Sequence, residues 1–451
     1  VYYIIKIGRF RVKRFRLFAS AFVLAVVTAI GLLQISDPTQ AQTAQVAQPP
    51  TAQAQPAKPS DPTDAVLDWN AIAQTATVAA SAPAPQQFRT LAITHGAIFD
   101  AVNAIEGRYT PYSVNIKAPA GASAAAAAVA AGHGVLTRLY PAQKVTLDAA
   151  LTASLAKIPD GEAKVGGINV GKEVAEKLVA IRSTDRADRK GEYKAQKAVG
   201  IWQPTPPLFA PALLPNWSEV TPFVIKRADQ FKIPAPLPLN SDAYAKELNE
   251  VKLLGGRYST ARTGEQTATA IFSAISPVPL WNTPARAAAT AKGNNLIENA
   301  RLFALLNFAG ADAYIAGYEV KYKYKLWRPV AAIPNAAELG NPAIIADPNW
   351  EPLIVTPAHP DYISGHCVTA GAAERVLERF FGSDAVKVSL IFPANAGVTR
   401  SYTSFSQISK ELGESRIWAG LHTRTADTQG DVLGKQVGDY VFENALQPLK
   451  S

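Results

Sequence analysis

Sulfur is nearly missing from this chain, which has one cysteine, Cys367, and no methionine in 451 residues. A single thiol excludes an intramolecular disulfide and any cluster of thiolate metal ligands. The missing methionines admit two readings: compositional drift, or avoidance of an easily oxidised thioether in a protein that meets oxidants. Beyond residue 41 no uninterrupted apolar run reaches eighteen residues, so the body is expected to be soluble. Sustained period-two alternation and repeats of 20 to 50 residues are also missing, which leaves an all-α architecture of long helices packed as one or two bundles. Strong charge is lacking too. Of the formal +9, residues 42–451 carry 39 bases against 35 acids, a net of +4 that gives no footprint for nucleic acid.

The N-terminus is where the bases concentrate. Lys6, Arg9, Arg11, Lys13, Arg14 and Arg16 precede an apolar run from Leu17 to Leu33 and then Thr39-Gln40-Ala41, a small-residue cleavage pattern. Residues 1–41 therefore read as an export signal or a retained N-terminal anchor, and the remainder as exported, periplasmic or extracellular. Residues 42–64 form a Pro/Ala/Gln linker too poor in large apolar side chains to pack. A helical domain is expected over 65–451. Segments 66–80, 87–106, 121–139, 141–157 and 162–182 carry helical periodicity, whereas 184–240 breaks into prolines and aromatics and reads as an irregular cover over the body. Helices resume near Ser241. Thr263 with Gln266 forms a capping box, and Thr283 before Pro284 reads as another helix start. A long helix from there is expected to be interrupted near Gly293, with a second running from about Asp312 to Trp327.

Three stretches in the last third hold the chemistry: KYKYKLWRP at 321–329, SGH at 364–366 and SRIWAGLH at 415–422. Lys321 and Arg328 are seven apart, which returns to nearly one helix face and would aim both cations into one cavity. Taken alone they equally suit a solvated basic face. Ser364 and Gly365 precede a helical run, so a hydroxyl and a backbone N–H at a helix N-terminus offer an anion site with His366 beside it as acid or base. Ordinary capping explains the same residues. Arg416 and His422, six apart, do not share a helical stripe, so either the arginine reaches round or the helix loosens at Gly420. Arginine grips oxyanions bidentately, and a neutral imidazole serves as nucleophile or metal ligand.

Taken together, Lys, six residues, Arg-Pro, then Ser-Gly-His, then Ser-Arg, five residues, His resembles the signature of the vanadium-dependent haloperoxidases and type 2 phosphatidic acid phosphatases. The likeness runs from about Val66 to the C-terminus and is nearest to bacterial haloperoxidase-like proteins. It implies vanadate as cofactor, or phosphate in the same pocket. His422 would be the vanadium ligand, Lys321, Arg328, Ser364, Gly365 and Arg416 would hold the oxygens, and His366 would be the acid-base group. Hydrogen peroxide, halide and a small organic acceptor would then be the partners, with Lys321 polarising the peroxide. In a phosphatase acting on a phosphate ester, His422 would attack phosphorus instead. His359, seven before His366, favours bromide, and a divalent metal held by His359, Asp361 and His366 is an alternative. A non-catalytic anion-binding protein is a further one. Two positions depart from the pattern: Ile363 stands where a proline is usual, and Ala426 where an aspartate is common. Asp427 or a backbone carbonyl is therefore the expected partner of His422. The sequence is compatible with a monomer or a homo-oligomer.

Overall fold

The computed structural model describes residues 64–391 and 398–449; the expected signal or anchor at 1–41 and all of the linker but Asp64 lie outside them. Asp64 caps the first helix through its carboxylate, taking the N–H of Val66 at 2.7 Å. From there the chain is helical: α1 (Ala65–Ala79), α2 (Ala84–Glu106), α3 (Ala124–Leu139), α4 (Lys144–Leu155) and α5 (Glu162–Arg182). These match the five segments expected from periodicity. Close packing of α3 on α5 rests on small residues, since a methyl on Gly171 would sit 2.3 Å from the Ala127 carbonyl oxygen.

The cover over 184–240 is irregular, as its prolines dictate, apart from one short 3-10 turn at Trp217–Glu219. It is stapled to the body by Asp312, whose carboxylate takes the N–H groups of Phe223, Val224 and Ile225 at 2.7, 2.8 and 2.9 Å. Asp100 grips Tyr112, Ser113 and Val114 in the same manner. A carboxylate can satisfy several backbone donors that would otherwise be buried unpaired.

After the cover come α6 (Asp242–Gly255), α7 (Gly264–Phe272), α8 (Pro277–Lys292) and α9 (Leu296–Tyr324). The capping box of Thr263 and Gln266 starts α7 as expected. Two boundaries differ from the sequence reading. Helix α8 begins at Pro277 under the Ser276 cap and runs through Pro284, so Thr283 is no cap. Helix α9 starts at Leu296, not near Asp312, because Asn295 and Glu298 form a second capping box. Gly293 does end α8, in the left-handed conformation. Helix α9 is buried nearly all round, including Phe303, Phe308 and Tyr314, as expected of a helix apolar on every face. It packs against α2 on one side and, on the other, against α11 (Gly365–Phe381) and α13 (Arg424–Asn444).

Helix α10 (Pro329–Ala332) precedes α11, and between α11 and α13 lie β1 (Ala385–Ile391), β2 (Thr399–Ser404) and α12 (Phe405–Trp418). The antiparallel pair β1–β2 corrects the expectation of no strands. Its alternating burial is short and local, and it leaves the all-α class intact. No helix among the described residues is long and apolar enough to cross a membrane.

Candidate functional site

All three motif stretches meet where α9, α11 and α12 end or begin. Helix α9 stops at Tyr324 because Lys325 turns left-handed (φ 53°). Arg328 therefore does not share a helix face with Lys321, contrary to the spacing argument. It arrives in extended backbone as the residue before α10. Both side chains are nevertheless buried. Lys321 Nζ donates to the Pro360 and Asp361 carbonyls (2.8 and 3.1 Å), and Arg328 Nε to the His359 carbonyl (2.8 Å).

Ser364 caps α11, placing its hydroxyl and the Gly365 N–H at the positive end of a 17-residue helix. The preceding Tyr362–Ile363 peptide is cis. Close contact with α13 fixes this helix: a methyl on Gly434 would meet the Val368 carbonyl oxygen at 2.1 Å, and one on Gly371 the Asp431 oxygen at 2.3 Å. Helix α12 ends at Trp418, and Gly420 takes φ 76° against the Gly255 backbone, a conformation suited to glycine alone. The helix thus loosens where expected and swings His422 to the same cavity as Arg416.

That cavity, about 310 Å³, is lined by Arg416, His422, His366, His359, Gly365 and Tyr318 among others. Arg416 is buried and gives Nη1 to the Ser273 carbonyl (2.8 Å), while its Nε has no partner. Arg328 Nη2 donates to His359 Nδ1 (2.9 Å), and Nη1 to His422 Nε2 (3.0 Å) and the Leu421 carbonyl (2.8 Å). His366 Nε2–H points to the Ile275 carbonyl (3.1 Å). His359 also lies against Tyr318, with ring centroids 5.8 Å apart.

The electrostatics follow from three cations sealed from water. Burial, then repulsion from Arg328, holds Lys321 well below its ordinary pKa. Burial brings Arg328 down to about 10 and lowers Arg416. The histidines are kept neutral: His366 falls to about 3 through burial and then Arg416, and His359 and His422 lie well below 6.5 for the same kind of reason. Burial raises the two nearby carboxyls, Asp361 to about 6 and Asp427 to about 7. Arg416 lies on the cavity wall, with Lys321 and Arg328 buried nearby but outside its lining, and an incoming oxyanion would favour the charged form of all three.

Two partners differ from expectation. His422 is paired with Asp361, its Nδ1 2.6 Å from Oδ1, and not with Asp427 or a carbonyl. Asp427 instead accepts from the Cys367 thiol (3.2 Å) and lies against the Ser364 hydroxyl. A metal held by His359, Asp361 and His366 is not formed either. These side chains turn to Arg328, His422 and Ile275, and no group of three His, Cys, Asp or Glu suited to a metal occurs among the described residues. Sequence reasoning missed the role of Asp361, although an acid five residues before His366 was a signal, and missed the carbonyls of Ser273 and Ile275, which no motif announces.

Comparison with known proteins agrees with this geometry. Residues 301–451 match the family model for the VCPO second helical-bundle domain. A bacterial vanadium-dependent iodoperoxidase superposes with a TM-score of 0.75 at 26% identity, covering 86% of this chain and 97% of that one. The last third of the chain thus matches the family model, and the chain resembles the vanadium-dependent haloperoxidases in fold. A vanadium chloroperoxidase of Curvularia inaequalis is 28% identical over 200 residues, 37% of this chain and about a third (32%) of that protein's length. A holo-type bacterial vanadium-dependent chloroperoxidase shares the fold of this chain, with a TM-score of 0.65 at 18% identity, over 80% of this chain and 91% of that one. The residues present suit vanadate: buried N–H donors, a cationic surplus and the unpartnered Arg416 Nε are what a tetrahedral oxyanion requires.

Proposed function

We propose that this chain is an exported vanadate-dependent haloperoxidase that oxidises halide, with bromide preferred, by hydrogen peroxide to hypohalous acid, which halogenates a small organic acceptor. The observation that carries this reading is one cavity with the buried Arg416, its Nε free of protein partners, and His422 and His366 on its wall. When bound, vanadate supplies the Lewis-acidic centre at which peroxide is activated toward halide.

In this reading His422 Nε2, now 3.0 Å from Arg328 Nη1, would be the atom that holds the vanadium. Lys321, Arg328 and Arg416 neutralise the oxygens, and the Ser364 hydroxyl and Gly365 N–H complete the donors. His366 donates Nε2–H to the Ile275 carbonyl, so in the neutral ring Nδ1 is the proton acceptor for peroxide. Its depressed pKa keeps that lone pair available at neutral pH. His359, held by Arg328 and Tyr318, lies where it can orient halide.

A second reading, an exported phosphatase working through a phosphohistidine, is favoured by the Asp361–His422 pair, which is how a nucleophilic imidazole is oriented. Purified protein assayed with and without orthovanadate, for peroxide-dependent bromination of a dye and for hydrolysis of a phosphate monoester, separates the two. Bromination only after vanadate loading supports the first; vanadate-inhibited hydrolysis without bromination overturns it.

A further inference from the structure

His422 can carry its single ring proton on either nitrogen, and only one choice leaves Nε2 with a lone pair. Arg328 Nη1 lies 3.0 Å from Nε2 and 3.5 Å from Nδ1, and because arginine has no acceptor the nearer nitrogen, Nε2, is the one that offers it a lone pair. The proton is then on Nδ1, and the atom nearest to receive it is Asp361 Oδ1, a buried carboxylate oxygen 2.6 Å away that has no hydrogen-bond partner elsewhere. We infer that Asp361 is a positioning residue that fixes His422 as the Nδ1–H tautomer and so presents Nε2 to the oxyanion.

Its own placement is fixed by all three motif stretches. Oδ2 takes the Thr423 hydroxyl at 3.0 Å and the Thr423 N–H at 3.4 Å, just after His422. The Asp361 carbonyl takes Lys321 Nζ, and its N–H donates to the Leu326 carbonyl at 2.8 Å. Three residues later the chain reaches Ser364. Asp361 is completely buried, which keeps bulk water from standing in for the carboxylate. Asp427 is no substitute either, being engaged by Cys367.

This arrangement predicts the effect of Asp361→Asn. The Thr423 N–H can only donate, so it holds the amide oxygen at the Oδ2 position and leaves the amide NH₂ at the Oδ1 position, facing His422 Nδ1. The imidazole must then accept at Nδ1 and carry its proton on Nε2, pointing an N–H at the site where a lone pair is needed. A comparable substitution in the serine-protease triad produces the wrong tautomer in the same manner.

The inference rests on the reading that His422 Nε2 faces the bound anion, and the test separates the two. Two-bond proton–nitrogen spectra of histidine-labelled protein, with the His422 signal assigned by its loss in His422→Gln, report the tautomer. Calorimetric titration with orthovanadate and with inorganic phosphate reports affinity. Expected are Nδ1–H in the wild type, Nε2–H in Asp361→Asn, and roughly 10–100-fold weaker binding of both anions in that variant. Nε2–H in the wild type overturns the inference without recourse to any variant. So does an Asp361→Asn protein that keeps the wild-type tautomer and affinity. His422→Gln binding both anions as tightly as the wild type overturns the site reading and the positioning role with it. A tautomer exchange with weakened binding, in a protein that never brominates, supports the positioning role and removes only the haloperoxidase reading.

Discussion

Removing the Asp312 carboxylate should loosen the proline-rich cover from the body. In Asp312→Ala the N–H groups of Phe223, Val224 and Ile225, now held at 2.7 to 2.9 Å, lose their acceptor. They lie beside Phe308, whose ring is 5.6 Å from that of Phe223. An unsatisfied buried donor costs about 1–3 kcal/mol, so three set a ceiling near ~9 kcal/mol. Relaxation, water entry and relief of a buried charge reduce this, and a loss of ~3 kcal/mol is expected. Asp312→Asn, which keeps one acceptor oxygen, should fall between. Urea unfolding measures the loss, and amide exchange at 223–225 localises it. The pH dependence has a defined sign. Burial raises Asp312 from 3.8 to about 6, so the folded protein keeps a proton that the unfolded chain releases, and this contribution is lost as pH rises from 4 through 6. The gap between wild type and Asp312→Ala should narrow over that range. A loss under ~1 kcal/mol, or unchanged protection at 223–225, would refute the reasoning.

The cage residues yield sharper contrasts. Arg416→Gln should weaken phosphate and vanadate binding at least ~100-fold by calorimetry, since a charge-assisted bidentate grip is lost, without lowering the melting temperature in anion-free buffer, because burying that cation is itself unfavourable. Retained affinity would count against its place in the site. Oxyanion binding should draw in protons near pH 6, because negative charge beside His366 opposes the burial and Arg416 that hold it at about 3; titrations in buffers of different ionisation enthalpy detect the uptake, and none is expected if the anion binds elsewhere. For stability, His359, His366 and His422 are all depressed, so their contribution is present above 6.5 and lost as pH falls, and phosphate should make that acid loss shallower in thermal melts. Gly434→Ala should destabilise the fold by about 1–3 kcal/mol or more and weaken anion binding, whereas Gly264→Ala, with nothing within 4 Å, should change stability by less than ~0.5 kcal/mol.

The helices and the cage were readable in the sequence for different reasons. Apolar residues recurring at three and four located α1 to α5, although only α1 and α5 present one buried stripe and α2 and α3 are buried over most of their length. That recurrence failed at α9, buried on all sides, where the capping pair Asn295 and Glu298 was the better guide. Pro284 misled because proline favours a first turn, yet α8 carries it in mid-helix. The cage residues were legible through ordered spacing across three stretches, although the geometry first attached to Lys321 and Arg328 was wrong, since a left-handed Lys325 ends the helix between them. The Asp361 partnership was hidden because it spans 61 residues and depends on the turn at Gly420. No periodicity encodes a contact of that kind.

Sealing Lys321, Arg328 and Arg416 away from water has a consequence for handling the protein and for how it matures. Any tetrahedral oxyanion that binds only the folded chain is a folding ligand, contributing about 2.7 kcal/mol when present at a hundred times its dissociation constant. On the function proposed above, inorganic phosphate would compete with vanadate for newly folded protein, and supply and exchange rate would decide the occupant as much as affinity. The melting temperature becomes a direct gauge of which anion the molecule has met.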